Sequence, residues 1–263
     1  MEAKVVFDLH CHSHFSRDAR PSVSEMAAAA KAKGLKTIGI SDHGPAHFRY
    51  GFKESQIPEI KAEIEEARKL DPDFNIQFGI ETNIINPDGS LDLPKDKLDQ
   101  FDYVIAGYHY ATKGKEDSSY IKTHISAILS GETTSKRRTV INTDLITAAL
   151  YENNIQILAH PGDKLPVDIR AVAKACEETH TLMEINNAHD ALSAQDIKIC
   201  SLYDVKFIIG SDAHKIGEIG TYDWALARIF SAQLPLERVV NIQTDISEDV
   251  YKQLSKHVGF WRK

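Results

Sequence analysis

The stretch Asp8-Leu9-His10-Cys11-His12 ends the first apolar run of the chain and sets a pattern that recurs along the sequence. The preceding residues, Val5-Val6-Phe7, are typical of the start of a β-strand. Because strand side chains alternate between the two faces of a sheet, the spacing predicts that Asp8, His10 and His12 point to one face. Two imidazoles at this spacing can bind one metal ion. An isolated pair of histidines is, however, equally typical of exposed residues near a strand end.

Further apolar runs alternate with helical patterns along the rest of the chain. The predicted strands cover the first run and residues 37–40, 75–80, 102–106, 155–159, 182–187 and 205–209. The predicted helices cover about residues 22–33, 54–70, 120–129, 144–153, 168–179, 193–202, 222–231 and 247–257. This alternation indicates βαβ units and a parallel sheet, which could close into a barrel or remain open.

Polar residues follow six of these strands, and their placement favours a barrel. In a barrel the C-terminal ends of all strands converge on one mouth, whereas an open sheet spreads them along a crevice. Six of the twelve histidines fall at these ends. The strand-end residues are His10, His12, His43, Glu81, His109, His160, Asp212 and His214.

Imidazoles and carboxylates without thiolates suit zinc, manganese or iron. Eight such ligands exceed the needs of one ion, so the strand-end set predicts a cluster of two or three metals. Asp212 and His214 repeat the two-residue spacing of His10 and His12, which again predicts that both members point to one face.

Length and composition are ordinary for a globular protein. The 263 residues are 42% hydrophobic and 26% charged, and we expect one barrel domain over 1–263 with a βα insertion at about 111–140.

Three cysteines without a CxxC spacing suit a reducing compartment, and we expect a cytoplasmic protein with no membrane segment. The formal charge of −7 argues weakly against a general nucleic-acid partner.

The ordered motifs resemble those of the PHP (polymerase and histidinol phosphatase) family. They are DLHCHS at 8–13, SDHG at 41–44, GIE at 79–81, GYH at 107–109, AHP at 159–161 and GSDAH at 210–214. Within the family, EINN at 184–187 and PLERVVNI at 235–242 are most similar to the stand-alone bacterial phosphoesterases of the trinuclear-zinc type. The resemblance implies a distorted (β/α)7 TIM-like barrel with three divalent metal ions at its C-terminal mouth.

The resemblance also implies a ligand set for each ion. The implied sets are His10, His12, Glu81 and Asp212 for the first ion, Glu81, His109 and His160 for the second, and Asp18, His43 and His214 for the third. Asp18 stands where the trinuclear-zinc branch has a histidine and where histidinol-phosphatase relatives carry an aspartate. The choice among zinc, manganese and iron therefore stays open.

The implied activity is hydrolysis of a small phosphate monoester by a metal-activated hydroxide. Glu81, Asp212 and His214 are the expected catalytic residues, acting through the hydroxide held by the metals. Three divalent ions would carry about six positive charges against about three from the carboxylate ligands, a surplus suited to phosphate. Guanidinium and ammonium groups also match phosphate, so substrate contacts are expected from Arg17, Arg20 and Lys164, unless these are solvated loop charges.

Three further functions are compatible with the sequence. A metal-dependent nuclease would need a basic or aromatic track, for which Lys136-Arg137-Arg138, Tyr108 and Tyr110 are candidates. A histidinol-phosphate phosphatase would use the same metals. A non-catalytic module that binds a phosphorylated ligand would be expected to lack metal ligands, and none is missing. The sequence contains no GxSxG, GxxxxGK or GxGxxG pattern, which argues against serine hydrolases, P-loop NTPases and dinucleotide-binding proteins.

Overall fold

Seven parallel strands form the main sheet of the computed structural model, which describes residues 3–110, 112 and 136–243. Their order in the sheet follows their order in the chain. The strands are β2 (Phe7–Asp8), β3 (Thr37–Ile40), β4 (Asn75–Asn83), β5 (Tyr103–Gly107), β6 (Ile157–Leu158), β7 (Leu182–Asn186) and β8 (Phe207–Gly210). A separate antiparallel pair joins β1 (Lys4–Val5) to β9 (Ile242–Gln243). The predicted α/β barrel with seven parallel strands is confirmed.

Helices follow most strands and pack on the outside of the sheet. They are α1 (Val23–Ala32), α2 (Ile57–Leu70), α3 (Lys95–Leu98), α4 (Lys136–Glu152), α5 (Ile169–Thr179), α6 (Ala194–Cys200) and α7 (Asp223–Ala232). Side-chain caps explain several starts: Ser22 and Ser193 open capping boxes, and Asp168 accepts a hydrogen bond from the Arg170 N–H. No helix within residues 3–110 and 136–243 is both long enough and apolar enough to cross a membrane.

The largest change to a predicted helix boundary is at the start of α4, and two predicted helices stay untested. Helix α4 includes residues 136–143, which the sequence pattern assigns to the insertion and to the loop after it. The predicted helices at 120–129 and 247–257 lie outside the described residues, as does most of the expected insertion at 111–140.

A small apolar cluster fills the barrel below its mouth. It comprises Val6, Phe7, Leu9, Tyr103, Ile105, Ile157, Ala159, Leu182 and Ile208. Tyr103 crosses this space and donates a hydrogen bond from its hydroxyl to the Leu9 carbonyl over 2.6 Å. Gly39 makes room for the ring, because a Cβ there would lie 2.0 Å from the Tyr103 hydroxyl oxygen. The filled interior leaves the polar strand ends as the wall of an open mouth.

The barrel closes between β2 and β8 without a continuous strand ladder. Below the mouth, Asn241 spans the seam: its Nδ2 donates to the Phe7 and Ile209 carbonyls over 2.8 Å each, and its Oδ1 accepts from Ile209 N over 3.0 Å. At the mouth, backbone bonds of 2.9 Å join Asp212 N to the His10 carbonyl and His12 N to the Ala213 carbonyl. Asn241 therefore replaces part of the missing ladder.

We expect Asn241→Ala to destabilise the protein by about 3 kcal/mol, because three backbone groups in a buried place lose their partner. Urea unfolding at fixed metal content measures this. The matched control is Asn75→Ala, which removes one hydrogen bond of an exposed asparagine to Thr37 Oγ1. A loss below about 0.5 kcal/mol for Asn241→Ala, the range of ordinary surface substitutions, would show that the seam does not depend on this side chain.

Candidate metal centre

All nine predicted ligands meet at the C-terminal ends of the strands. Most of them follow a strand directly, Glu81 lies within β4, and Asp18 lies on the loop before α1. The ligands that follow strands are His10 and His12 after β2, His43 after β3, His109 after β5, His160 after β6, and Asp212 and His214 after β8. Seven of the nine are buried: His10, His12, His43, Glu81, His109, His160 and Asp212. The side chains of Asp18 and His214 are each 25% exposed, so they form the side of the cluster that opens to solvent.

Glu81 lies at the centre of the cluster and approaches five imidazoles. The residue is completely buried. Its Oε1 lies 3.3 Å from His10 Nε2, 3.3 Å from His109 Nε2 and 3.0 Å from His160 Nε2. Its Oε2 lies 2.7 Å from His43 Nδ1 and 3.6 Å from His12 Nε2. A carboxylate placed in this way can bridge two cations.

Three groups of side chains have ligand atoms close enough to share one ion. In each group these atoms lie within 4.8 Å of one another. The groups are His10, His12 and Asp212; His43, Glu81 and His109; and His12, His43 and His214. Asp18 joins the last group, because its Oδ2 lies 3.6 Å from His43 Nε2 and 3.5 Å from His214 Nε2.

Three buried atoms of the cluster lack a hydrogen-bond partner among the residues that the structure describes. They are His10 Nε2, His43 Nδ1 and Glu81 Oε2, and the last two lie 2.7 Å apart without the alignment of a hydrogen bond. A buried polar atom without a partner is costly, and such atoms are rare in folded proteins. All three belong to the predicted ligand set and converge on the same space. The donor set therefore fits divalent cations, which would supply the missing interactions.

Hydrogen bonds on the far side of the imidazoles fix which ring nitrogen faces the cluster. His10 Nδ1 lies 2.7 Å from Glu184 Oε1, and His109 Nδ1 lies 2.8 Å from Asn83 Oδ1. Asn83 is itself held, because its Nδ2 donates to Asp92 Oδ2 over 2.6 Å. In the neutral form that binds a cation, each ring would donate outward from Nδ1–H and present the lone pair of Nε2 to the centre.

His12 is held by a serine that also organises the loop after β2. Ser16 Oγ lies 3.2 Å from His12 Nδ1, accepts from His43 N over 2.9 Å and donates to Asp42 Oδ1 over 2.8 Å. Asp42 also accepts from Ser13 Oγ over 2.6 Å. The buried Asp42 therefore ties the His12 strand end to the His43 strand end.

The two oxygens of Asp212 serve different neighbours. Oδ1 lies 3.1 Å from His12 Nε2, whereas Oδ2 accepts from Asn186 Nδ2 over 3.2 Å and lies 3.3 Å from His189 Nε2. The residue has a positive φ of 55°, which is uncommon outside glycine. His160 also has a positive φ, at 28°. Backbone strain therefore accompanies two of the predicted ligands.

Charges inside the cluster compensate one another against the cost of burial. Burial alone would raise the pKa of Glu81, but His109 and His10 hold it well below its usual range. Burial alone would lower the pKa of His10, but Glu184 and Asp212 raise it well above its usual range. Glu81 thus remains ionised in the folded protein, as metal ligation requires.

The structure corrects the expected face of Asp8. Its Oδ2 accepts a hydrogen bond from the Tyr222 hydroxyl over 3.0 Å and its Oδ1 accepts from His10 N over 3.1 Å, so its hydrogen bonds reach a phenol and the backbone. Phe7 and Leu9 belong to the inner apolar cluster. The alternation therefore breaks between Leu9 and His10, and the period of two holds only for His10 and His12.

Sequence reasoning does not identify the residues that hold the ligands. Glu184 and Asn186 lie in the EINN run, whose resemblance to one family branch says nothing about their contacts. Their two-residue spacing at the end of β7 is a signal for one shared face. His189 belongs to a loop without a periodic pattern, yet it lies between Asp212 and Asp163, 3.3 Å from a carboxylate oxygen of each.

The basic residues predicted to contact phosphate lie on loops near the cluster. Arg17 and Arg20 are exposed on the loop that carries Asp18. Lys164 forms an ion pair with Asp163. The structure brings none of their charged groups within ion-pair distance of the nine predicted ligands in the part of the chain that it describes.

Comparisons with known proteins find a match to one domain family and to proteins named as phosphatases. The model of the PHP domain family matches residues 8–188 and ends before Asp212 and His214. A protein of Shewanella sediminis named "probable phosphatase" is 31% identical over 252 residues, covering 90% of each chain. A protein of Escherichia fergusonii named "probable phosphatase YcdX" is 30% identical over 249 residues, covering 89% of each chain.

A solved structure shares the fold. Histidinol phosphate phosphatase from Lactococcus lactis, determined with zinc, L-histidinol and phosphate, aligns with a TM-score of 0.55 and 17% identity. The alignment covers 87% of this chain and 91% of that chain. At this identity the likeness concerns the fold alone.

We expect Glu184→Gln to lower metal affinity about 10- to 100-fold, the usual effect of disturbing a residue that holds a ligand. Loss of the carboxylate weakens the orientation of His10 and the hydrogen bond that Glu184 Oε2 accepts from His160 N. Competition with a chromophoric chelator measures the affinity. The matched control is Glu63→Gln, because Glu63 also lies beside a histidine, His14, but away from the cluster. Equal affinities for both variants would contradict the role of Glu184.

Proposed function

Because the chain belongs to the PHP domain family, we propose that it is a metal-dependent phosphoesterase that hydrolyses a small phosphate monoester. The observation that carries the proposal is the convergence of nine imidazoles and carboxylates on one mouth, where three buried atoms lack partners among the described residues. Relatives named as phosphatases share nearly the whole length of the chain. Divalent ions held by imidazoles and carboxylates of this kind are well suited to hydrolysis at phosphorus.

We assign the nine side chains to three divalent ions. His10, His12, Glu81 and Asp212 would hold the first, and Glu81 would bridge to a second held by His109 and His160. The third would take Asp18, His43 and His214. Imidazole and carboxylate donors suit zinc, manganese or iron, and zinc is the metal present in the Lactococcus lactis neighbour.

Divalent ions held at this mouth would supply a hydroxide at neutral pH and neutralise the charge of a phosphate. The protein's own groups then have two tasks. Glu81 and Asp212 keep the donor atoms of separate strands at fixed spacing, because each approaches more than one imidazole. His214 Nδ1 lies 2.8 Å from the Asp212 carbonyl, which turns its Nε2 toward Asp18.

A nuclease function has less support from the structure. Tyr108 is buried at 8% exposure, so its ring is not free to stack on a base. The Tyr110 hydroxyl donates to the Lys164 carbonyl over 2.8 Å. The Lys136-Arg137-Arg138 run forms the first turn of α4 and is short for a track along a strand of nucleic acid. The partner we propose is therefore a small phosphorylated molecule.

Neither a non-catalytic module nor a histidinol-phosphate phosphatase is favoured by a specific observation. A non-catalytic module predicts missing ligands, and all nine are present. Histidinol phosphate remains one candidate among monoesters, because the histidinol phosphatase neighbour shares only the fold. We also retain Arg17, Arg20 and Lys164 as proposed phosphate contacts. A cytoplasmic location is proposed from three free, buried cysteines, which suit a reducing compartment.

We expect Asp18→His to keep the metal content while shifting the best-performing metal from manganese or iron toward zinc, because an imidazole replaces a harder oxygen donor. Elemental analysis and rates with each added metal measure the two effects. Asp73→His provides the control, since Asp73 is exposed just before β4, at the opposite end of that strand from Glu81. If Asp18→Ala retains full metal content and an unchanged preference, Asp18 is not a ligand.

The central test of the function compares kcat/KM for a panel of phosphate monoesters with that for short single-stranded RNA and DNA, at the same metal and salt. We expect the monoesters to be preferred and their turnover to vary little with moderate salt, because binding energy comes from a compact cluster. A polynucleotide bound through several phosphates would show a steep salt dependence. Oligonucleotides preferred by about two orders of magnitude, with such a slope, would replace the monoesterase by a nuclease.

A further inference from the structure

His47 is a buried histidine beside the cluster that the proposed ligand set does not use. It lies on the loop after β3 and is 6% exposed. Its ring is nearly parallel to those of Tyr50, at 4.8 Å and 19°, and His43, at 5.5 Å and 22°, and these two rings lie 6.4 Å from each other. His109 approaches edge-on at 5.8 Å. Three neighbouring rings therefore pack against His47 and restrict the orientation of its imidazole.

The backbone fixes the tautomer of His47. Tyr50 N–H donates to His47 Nδ1 over 3.1 Å, so Nδ1 carries a lone pair and the neutral ring must carry its proton on Nε2. Nε2 has no hydrogen-bond partner among residues 3–110, 112 and 136–243. A protonated nitrogen is not a metal ligand, which distinguishes His47 from its neighbours His43 and His109.

The loop that carries His47 is built to hold this orientation. His47 N donates to the Gly44 carbonyl over 3.2 Å, and Gly51 N donates to the His47 carbonyl over 2.8 Å. A Cβ at Gly51 would lie 2.1 Å from the Gly44 carbonyl oxygen, so the chain is tightly turned here. The Tyr50 carbonyl also accepts from Arg17 N over 3.0 Å, which ties this loop to the one that carries Asp18.

The position of His47 relates it to two of the proposed ions. His43 belongs to the third ligand set and His109 to the second, and their rings lie 5.2 Å apart. His47 contacts both rings, so it lies at the edge of the space between the second and third proposed ligand sets. That space is where the oxygens of a bound phosphate would lie under the proposed function.

We propose that His47 is a substrate-binding residue whose Nε2–H donates a hydrogen bond to a phosphoryl oxygen of the substrate. The proposal rests on the proposed phosphoesterase function. Phosphate oxygens are strong acceptors, and a donor that is already oriented loses little freedom on binding. A neutral N–H adds a contact without adding a charge that would compete with the metals.

The experiment compares His47→Ala and His47→Gln with the wild type, and uses His14→Ala as a matched control because His14 is an exposed histidine paired with Glu63. Three quantities are measured on metal-loaded protein: metal content, calorimetric affinity for inorganic phosphate, and kcat and KM for p-nitrophenyl phosphate. His47→Ala is expected to keep its metal content, bind phosphate about 10- to 100-fold more weakly and lose a similar factor in kcat/KM. His47→Gln should recover part of the loss, since its amide is a neutral donor.

Several results would overturn the proposal. Loss of metal content in His47→Ala would make His47 a ligand, and phosphate affinity equal to that of the wild type would exclude contact with phosphate. Equal losses in the Ala and Gln variants, together with a lowered unfolding midpoint, would indicate a purely structural role. If the wild type binds phosphate but hydrolyses no monoester, the proposed function fails, while the phosphate affinities of the variants still decide the role of His47.

Discussion

The burial of Glu81 among five imidazoles is the interaction on which the rest of the structure depends. A carboxylate taken out of water without partners is very costly, and its neighbours must be held close enough to compensate. Those neighbours come from the ends of β2, β3, β5 and β6, so compensation requires all of these strands to end at one level. A closed barrel provides this arrangement, and an open sheet would separate the outer members.

The second requirement is that each imidazole present a defined nitrogen. Three different devices meet it: a carboxylate for His10, a serine backed by a buried aspartate for His12, and an asparagine backed by another aspartate for His109. The supporting residues lie on β7, on the first loop and on β4, so almost every strand contributes either a ligand or its support. These hydrogen bonds are supplied by the protein itself, and they reduce the reorganisation that cation binding would require.

Some features of the fold and the site are set by residues close together in the chain, and these can be predicted from the sequence. Features set by residues far apart in the chain are harder to predict. His10 and His12 follow from local alternation, and the strand-end ligands follow from parallel topology. Asp18 lies in a loop with no periodic pattern, so only the family resemblance points to it. Glu184 could be proposed from its spacing to Asn186, but its partner is 174 residues away in the chain. The face of Asp8 is predicted wrongly because a local break in the strand overrides the period of two.

His47 shows a different limit of sequence reasoning. It stands four residues after His43, and nothing in that spacing distinguishes a ligand from a donor to substrate. The distinction comes from a single backbone N–H, that of Tyr50, which selects the tautomer, and from the two rings that fix its plane. Such a contact depends on how a tight loop folds back on itself, which the residue types alone do not specify.

The seam between β2 and β8 connects closure of the barrel to the cluster itself. The backbone bond from Asp212 N to the His10 carbonyl joins two proposed ligands across the seam, so the closing contacts at the mouth and the donor atoms belong to the same residues. The positive φ of Asp212 occurs at this junction, where the chain must both pair with β2 and turn a carboxylate inward. Below it, the Asn241 amide completes the seam with side-chain hydrogen bonds that impose no such turn. The barrel is thus closed by a side-chain amide where only stability matters, and by the strained backbone of a ligand where the chemistry requires it.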